Sequence, residues 1–561
     1  MNQESACLSE VNRLRQETIS FSKIPHQSRL FLDFQADSPN LNEFYPEKRT
    51  DLSDFAEKVL VNYKTDRREL CDVLEESNKS FGAGEKTFEN IKFLREKDCV
   101  TIVTGQQAGL FSGELYTIYK ALSAVKLAED LRRQNIKAVP VFWIAEEDHD
   151  FDEVKKTFVL DRQGKLAKFE NTPEKHIENS PVGLVELDDT IEKTIEDLFE
   201  SLSHTEFSDE TRRILSETYK SGETYSTAFA KFLAEIFSSY GLIFLSPLNE
   251  NFKKLCAPIF TEAVEKSEEI NLALLEKNKE LEMKNYQAQV LVAENSFPFF
   301  FQDESGKRRA LRRDVENSKF KIQNSKREFD KTELIEIACN TPQNLSPNAL
   351  LRPVVQDYLL PTLVYFGGAA EIAYFAQNSA IYEILNRPAT PIRHRASFTV
   401  VQRKHHRTLE KYELEFAELF ARKDEISARI VEKFISNKTA ETFADVEEII
   451  NAQLHRLDKS LSEIELTLSE NLANRRKKII WHIAALRKKY HLAEIQKNEI
   501  VGRRLENLFV ALLPNNALQE RTLNVVTFLN LFGTNFIDWI YEAIEYEAIE
   551  TDEKGHRILY P

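Results

Sequence analysis

Two short apolar runs organise the first third of the chain. CVTIVTG (99–105) is β-branched and ends on glycine, and AVPVFWIA (138–145) carries no charge. Runs of this length fit strands buried on both faces. Between them, GELYTIYKALSAVKLAEDLRRQ (113–134) places Leu115, Ile118, Tyr119, Leu122, Val125 and Leu127 at helical spacing. Strand, turn, helix and strand in that order predict a right-handed crossover and a parallel sheet.

The theme continues downstream. GLIFLSP (241–247), after a helical stretch from about 209, and AQVLVA (288–293) predict a third and a fourth strand. PTLVYFGGAAEIAYFAQ (361–377) again gives an apolar strand, two glycines and a helix. Upstream, residues 51–81 read as one helix, with Asp51 or Ser53 capping its start. After about 400 the pattern turns helical. Leu409, Tyr412, Phe416, Leu419, Ile426 and Ile430 step mainly by three, four or seven, and Leu454, Leu457, Leu461, Ile464 and Leu468 alternate three and four. The second run is an a/d seam. With a turn at ISNKTAETFAD (435–445), it predicts an antiparallel helical hairpin whose seam pairs internally or with a second subunit.

The fold class expected is α/β: a doubly wound parallel sheet with insertions and a C-terminal α-helical coiled-coil arm. The divisions expected are a mixed helical segment (1–95) packing on the core and a catalytic core (96–400) with inserts near 155–205 and 295–350. A helical hairpin (401–500) and a C-terminal helical segment (501–561) follow.

Composition narrows the function. Lys and Arg number 75 against 91 Asp and Glu, a net charge of −16. An acidic chain repels a phosphate backbone, so no nucleic-acid partner is expected. RRKKIIWHIAALRKK (475–489) then reads as an exposed helix face. No run of about 18 uncharged apolar residues and no apolar signal core are present, so no membrane span is expected and the location expected is cytoplasmic. The five cysteines, Cys7, Cys71, Cys99, Cys256 and Cys339, form no CxxC pair and read as reduced, mostly buried thiols.

Glycine is scarce, 15 in all, yet Gly105, Gly109, Gly113, Gly367 and Gly368 fall between a strand and a helix. Ligands of open α/β sheets bind beyond such strand ends, where glycine lets backbone amides approach. The loop TGQQAGLFSGELYT has neither GK[ST] nor G-x-G-x-x-G, so it is neither a Walker loop nor a dinucleotide fingerprint. Gln106, Gln107, Ser112 and Thr117 offer neutral hydrogen bonds, with Tyr116 and Lys120 further into the helix and Trp143 on the second strand.

Directly after that strand come Glu146, Glu147, Asp148, His149, Asp150, Asp152 and Glu153. Crowded carboxylates raise one another's pKa unless a cation or donor relieves them, which makes a general base or a cation site. Asp148, His149 and Asp150 are the catalytic candidates. As metal ligands they would suit a metal-dependent hydrolase, though one run cannot supply converging ligands and no metal is expected. Arg352, Gln356, Asp357, Glu371 and Tyr374 are polar residues in an apolar stretch, so they satisfy each other or meet a ligand. Arg393, His394 and Arg395 form an anion clamp or a solvated turn. A non-catalytic scaffold working through the helical hairpin is a further alternative.

TGQQAGLFSGELYTIYK (104–120), VPVFWIAEEDHDFDEV (139–154), LLRPVVQDYLLPTLVYFGGAAEIAYFAQ (350–377), YQAQV (286–290), SFT (397–399) and QERTLNVVTFLNLFGTNFIDWIY (519–541) together resemble the bacillithiol synthase family across essentially the whole chain. The resemblance implies a ligase joining cysteine to glucosaminyl-malate through an amide bond. It also implies a Rossmann-like core of the class I synthetase and nucleotidyl-transferase type, and a coiled coil that makes a homodimer. In that setting Asp148, His149 or Asp150 would deprotonate the cysteine ammonium, and Arg393 and Arg395 would neutralise malate or phosphate. The synthetase HIGH and KMSKS signatures are absent, although Arg393–Arg395 stands at a comparable place to the latter. The energy source stays open, with ATP or ADP as the candidate cofactor.

Overall fold

The structure is a computed structural model that describes residues 15–48, 50–314, 319–545 and 555–561. Its centre is a five-stranded sheet of β1 (Val100–Gln106), β2 (Ala138–Ile144), β3 (Ile243–Leu245), β4 (Thr362–Gly367) and β5 (Ile392–His394), in the order β5-β4-β1-β2-β3. Every pairing in it is parallel. Helix α1 (Tyr116–Arg133) makes the crossover from β1 to β2, and α3 (Ala369–Ile384) leaves β4 after α2 (Arg352–Leu359) has led into it. Ile102, Val103, Val141 and Phe142 are fully buried. Each such side chain contributes about 1.5–3 kcal/mol through burial, which fixes the strand ends that carry the site.

Two pieces of chain leave this sheet and return. Between β2 and β3 lie an antiparallel hairpin, Lys156–Leu160 with Leu166–Glu170, and a helix, Thr190–Ser201. Between β3 and β4 lies an antiparallel sheet containing Ser296–Gln302, Arg308–Asp314 and Leu345–Pro347.

The structure corrects three expectations. AQVLVA (288–293) is irregular, not a strand: Leu291 is exposed, and the Val290 backbone is bonded on both sides to the Gln377 amide. The fifth strand lies instead inside the segment read as a basic turn. Residues 51–81 form two helices, Leu52–Asn62 and Arg67–Ser80, because Asp66 caps a fresh start as Asp51 caps the first. The expected turn at 435–445 is helical from Asn437. Helices α4 (Asn437–Ser462) and α5 (Leu466–Lys497) reverse at Glu463–Glu465, so the three-four run crosses the reversal and leaves Ile464 exposed.

Two compact units result. Among the described residues the first holds 15–22, 26–399, 519–545 and 555–557, and the second holds 23–25, 400–518 and 558–561. No helix among the described residues is long and apolar enough to cross a membrane. Cys71, Cys99 and Cys256 are buried, which pushes each thiol up to about 12 and leaves it unreactive. Cys339 is exposed, and Cys7 lies outside the described residues.

Candidate active site

The end of β1 can only be glycine. A Cβ on Gly105 would stand 2.7 Å from the Trp143 carbonyl oxygen of β2. Beyond it the loop turns through left-handed backbone at Phe111 (φ 54°), Ser112 (φ 81°) and Gly113 (φ 70°), with Gly109 packed on Gly113. Non-glycine residues held there cost on the order of 1–3 kcal/mol each and persist only when over-determined. Asn524 supplies the constraint, its amide donating to the carbonyls of Phe111 (2.9 Å) and Gly113 (2.7 Å). Tyr219 ties the other side, accepting from Ser112 N at 3.1 Å.

Lys120 joins two strand ends. Its ammonium donates to Gly105 O and Gln106 Oε1, both at 2.9 Å, and is ion-paired with Glu371. Glu371 also accepts from Gly368 N and from Tyr365 OH, each at 2.7 Å. Burial lowers the Lys120 ammonium. Burial alone would raise Glu371, but Lys120 outweighs it and holds the carboxyl below its ordinary range. Behind this pair Arg352 donates to Gln356 (2.9 Å) and Tyr374 (3.3 Å), and Gln356 donates to Asp357 (3.0 Å). On the other side Gln106 donates to Tyr116 OH at 3.2 Å, and Tyr116 donates to Glu114 at 3.2 Å.

The acidic loop after β2 divides. Glu146 turns inward to Ser226, Ser246 and Leu248 N, and burial raises its carboxyl. Glu147 is ion-paired with the buried Lys253. Asp150 caps the short turn Phe151–Val154, and Asp152 is exposed beside Lys155. Asp148 and His149 remain half-buried at the strand end. Gln107 donates to Asp148 Oδ2 at 2.7 Å and to Glu153 at 3.1 Å. Glu146, Glu147 and Asp150 are thus each taken up separately, while Asp148 and Glu153 share the Gln107 amide. Among the described residues no three of His, Cys, Asp and Glu are grouped to hold a metal ion.

Comparison with known proteins adds the family. A model described as bacillithiol biosynthesis BshC, N-terminal Rossmann-like domain, matches residues 14–396. Another, the C-terminal coiled-coil domain of the same family, matches 398–551. The chain belongs to the BshC family. A relative from Koribacter versatilis is 33% identical over 528 residues, covering 94% of this chain and 97% of its own. One from Solibacter usitatus is 31% identical over 540 residues, covering 96% and 98%. Each is named "Putative cysteine ligase BshC".

In this BshC-family chain the Rossmann-like part brings Gly105, Gln106, Gln107, Tyr116, Asp148, His149, Gly368 and Glu371 to one end of the parallel sheet. Gly367 lets Glu371 close on β4, since a Cβ there would meet the Glu371 Cβ at 2.9 Å. Other expected ligand contacts lie beneath the surface. Ser112, Thr117 and Gln356 are fully buried and Trp143 nearly so. Arg395 is no free clamp: it is buried and ion-paired with Glu520 at 2.7 Å. Arg393 lies on β5 and lines a cavity of about 830 Å³ with His394, Phe21 and Arg557, away from the Gln107–His149 cluster.

Sequence reasoning missed Arg308. It comes from the inserted antiparallel sheet, and its Nη1 stands 3.2 Å from His149 Nδ1. It also missed Asn524. The signal available for Asn524 was the TLN tripeptide within the matching C-terminal segment; RRALRRD, which carries Arg308, reads only as a basic strand.

Proposed function

We propose that this protein joins cysteine to glucosaminyl-malate through an amide bond, forming bacillithiol in the cytoplasm. ATP is the candidate co-substrate, supplying a phosphate leaving group on the cysteine carboxyl. The nucleophile is then the glucosamine amine, not the cysteine ammonium expected above. Gln106 and Gln107 would hold polar groups of the substrates. Asp148, with Asp150 beside it, would take a proton that the attacking ammonium must lose. The Lys120–Glu371 pair keeps the floor of the site rigid, and pre-set geometry is what lowers the barrier for two bound reactants.

The observation that carries this reading is the Gln107–Asp148 hydrogen bond, which joins the glycine turn after β1 to the acidic loop after β2. The test is direct. Purified protein is given cysteine and glucosaminyl-malate, with and without ATP, and the thiol product is measured by mass spectrometry. No product under either condition, beside a competent control enzyme, overturns the proposal.

Homodimerisation through the arm belongs to the same reading. Trp481 (65% exposed) and Leu492 (52%), about three turns apart on one side of α5, leave an apolar face that the hairpin itself does not cover. A second copy would bury it.

A further inference from the structure

Arg308 is fixed on every side. Its backbone N–H donates to Asn179 O at 2.8 Å, its Nε to Ser346 Oγ at 2.8 Å and its Nη2 to Pro347 O at 3.2 Å. Its guanidinium lies 3.7 Å from the centre of the Phe300 ring. The remaining edge, Nη1, faces His149 Nδ1 at 3.2 Å and Asp148 Oδ1 at 3.8 Å. A guanidinium only donates, so His149 Nδ1 must accept, and the ring proton must sit on Nε2. Among the described residues no hydrogen-bond partner takes Nε2, and His149 is 32% exposed.

We propose that Arg308 is a positioning residue that holds His149 as the neutral Nε2–H tautomer, so that His149 donates a hydrogen bond to a substrate oxygen instead of accepting a proton. This rests on the ligase reading above. In that reaction the glucosamine nitrogen bonds to the cysteine carboxyl carbon. The phosphate-type leaving group departs with the C–O electron pair and takes up one of the two protons that the ammonium nitrogen must lose, and the other goes to a carboxylate of the Asp148–Asp150 loop. The carbonyl oxygen carries negative charge in between, and a fixed neutral donor suits it. The charged groups facing His149 are Arg308 from the inserted sheet and Asp148 and Asp150 on its own loop. Glu147, which also faces Arg308, is held by Lys253. Burial, then Arg308, depresses the His149 imidazole, which keeps it neutral near pH 7.

Two measurements test the assignment. Long-range ¹⁵N–¹H spectra of the imidazole in the free protein, identified with H149Q, read the tautomer without any assay. The expected result is the Nε2–H form at pH 7 and above, giving way to a mixture in R308M; an Nδ1–H form or an imidazolium at pH 7 overturns the proposal. Ligation kinetics supply the second reading. A donor role predicts that H149Q, which keeps an N–H, retains at least about tenfold more kcat than H149L, and equal loss in both overturns the donor role. R308K, which can still donate, should restore the wild-type pH profile that R308M loses. If no variant or wild type ligates, the ligase reading falls while the spectra still decide the tautomer.

Discussion

Lys120, on the helix that leaves β1, is ion-paired with Glu371, on the helix that leaves β4; the lysine is nearly sealed from water and the carboxylate is mostly covered. Removing one partner of such a pair strands the other charge, at a cost of about 3–5 kcal/mol. K120M is expected to lose that much in urea unfolding. The double variant K120M/E371Q should recover part of it, because the stranded carboxylate is gone.

Gly105 is predicted to tolerate no side chain. In G105A the new methyl meets the Trp143 carbonyl, and β1 and β2 must part. The expected cost is about 1–3 kcal/mol, with a loss of ligation larger than that of a surface alanine variant. Denaturant midpoints and product formation read the two effects separately.

Gln107 links the two turns through Asp148 and Glu153. Q107E replaces a donor by a third carboxylate, so the linkage becomes repulsion. Ligation is expected to fall on the order of 100-fold, as for a displaced reacting group. Steady-state kinetics at matched protein stability checks this.

Acid stability should fall in two windows. Burial depresses His556 from 6.5 to about 4, between Ser397 and Thr399. Between those values the unfolded chain takes a proton that the folded one refuses, so stability is full above 6.5 and falls by roughly 3 kcal/mol as pH drops to 4. Glu520 is held down to about 2 because Arg395 outweighs its burial. Its contribution is full above its ordinary 4.5 and is lost as pH falls towards 2, again roughly 3 kcal/mol. H556Q should remove the first slope and keep most of the second, which Arg395 chiefly sustains, as read by unfolding at a series of pH values.

The arm carries its own prediction. W481E places a charge on the exposed face of α5; the wild type is expected to sediment as a dimer and the variant near 65.0 kDa. Identical masses would separate dimer formation from this face.

The core strands were legible because β1, β2 and β4 are uncharged apolar runs closed by glycine or by an abrupt change to polar residues, and a strand buried on both faces has no other pattern. AQVLVA has the same composition, but its backbone is satisfied by Gln377, and no one-dimensional pattern records a side-chain partner 87 positions away. The β5 strand was hidden because only Ile392 of its three residues is apolar. In the site, Gln107 and Asp148 were legible as polar residues at strand ends. Their inward neighbours Glu146 and Glu147 were not, since the serines and lysine that accommodate them come from distant helices and strand ends. Arg308 was out of reach for the same reason: its role exists only once an inserted sheet folds back over the loop.

Asn524 holds the strained turn at Phe111–Gly113 through contacts that span most of the chain. A ribosome makes the turn 413 residues before the Asn524 amide that clasps Phe111. All five strands of the parallel sheet are therefore synthesised before the group that holds the turn in its strained form.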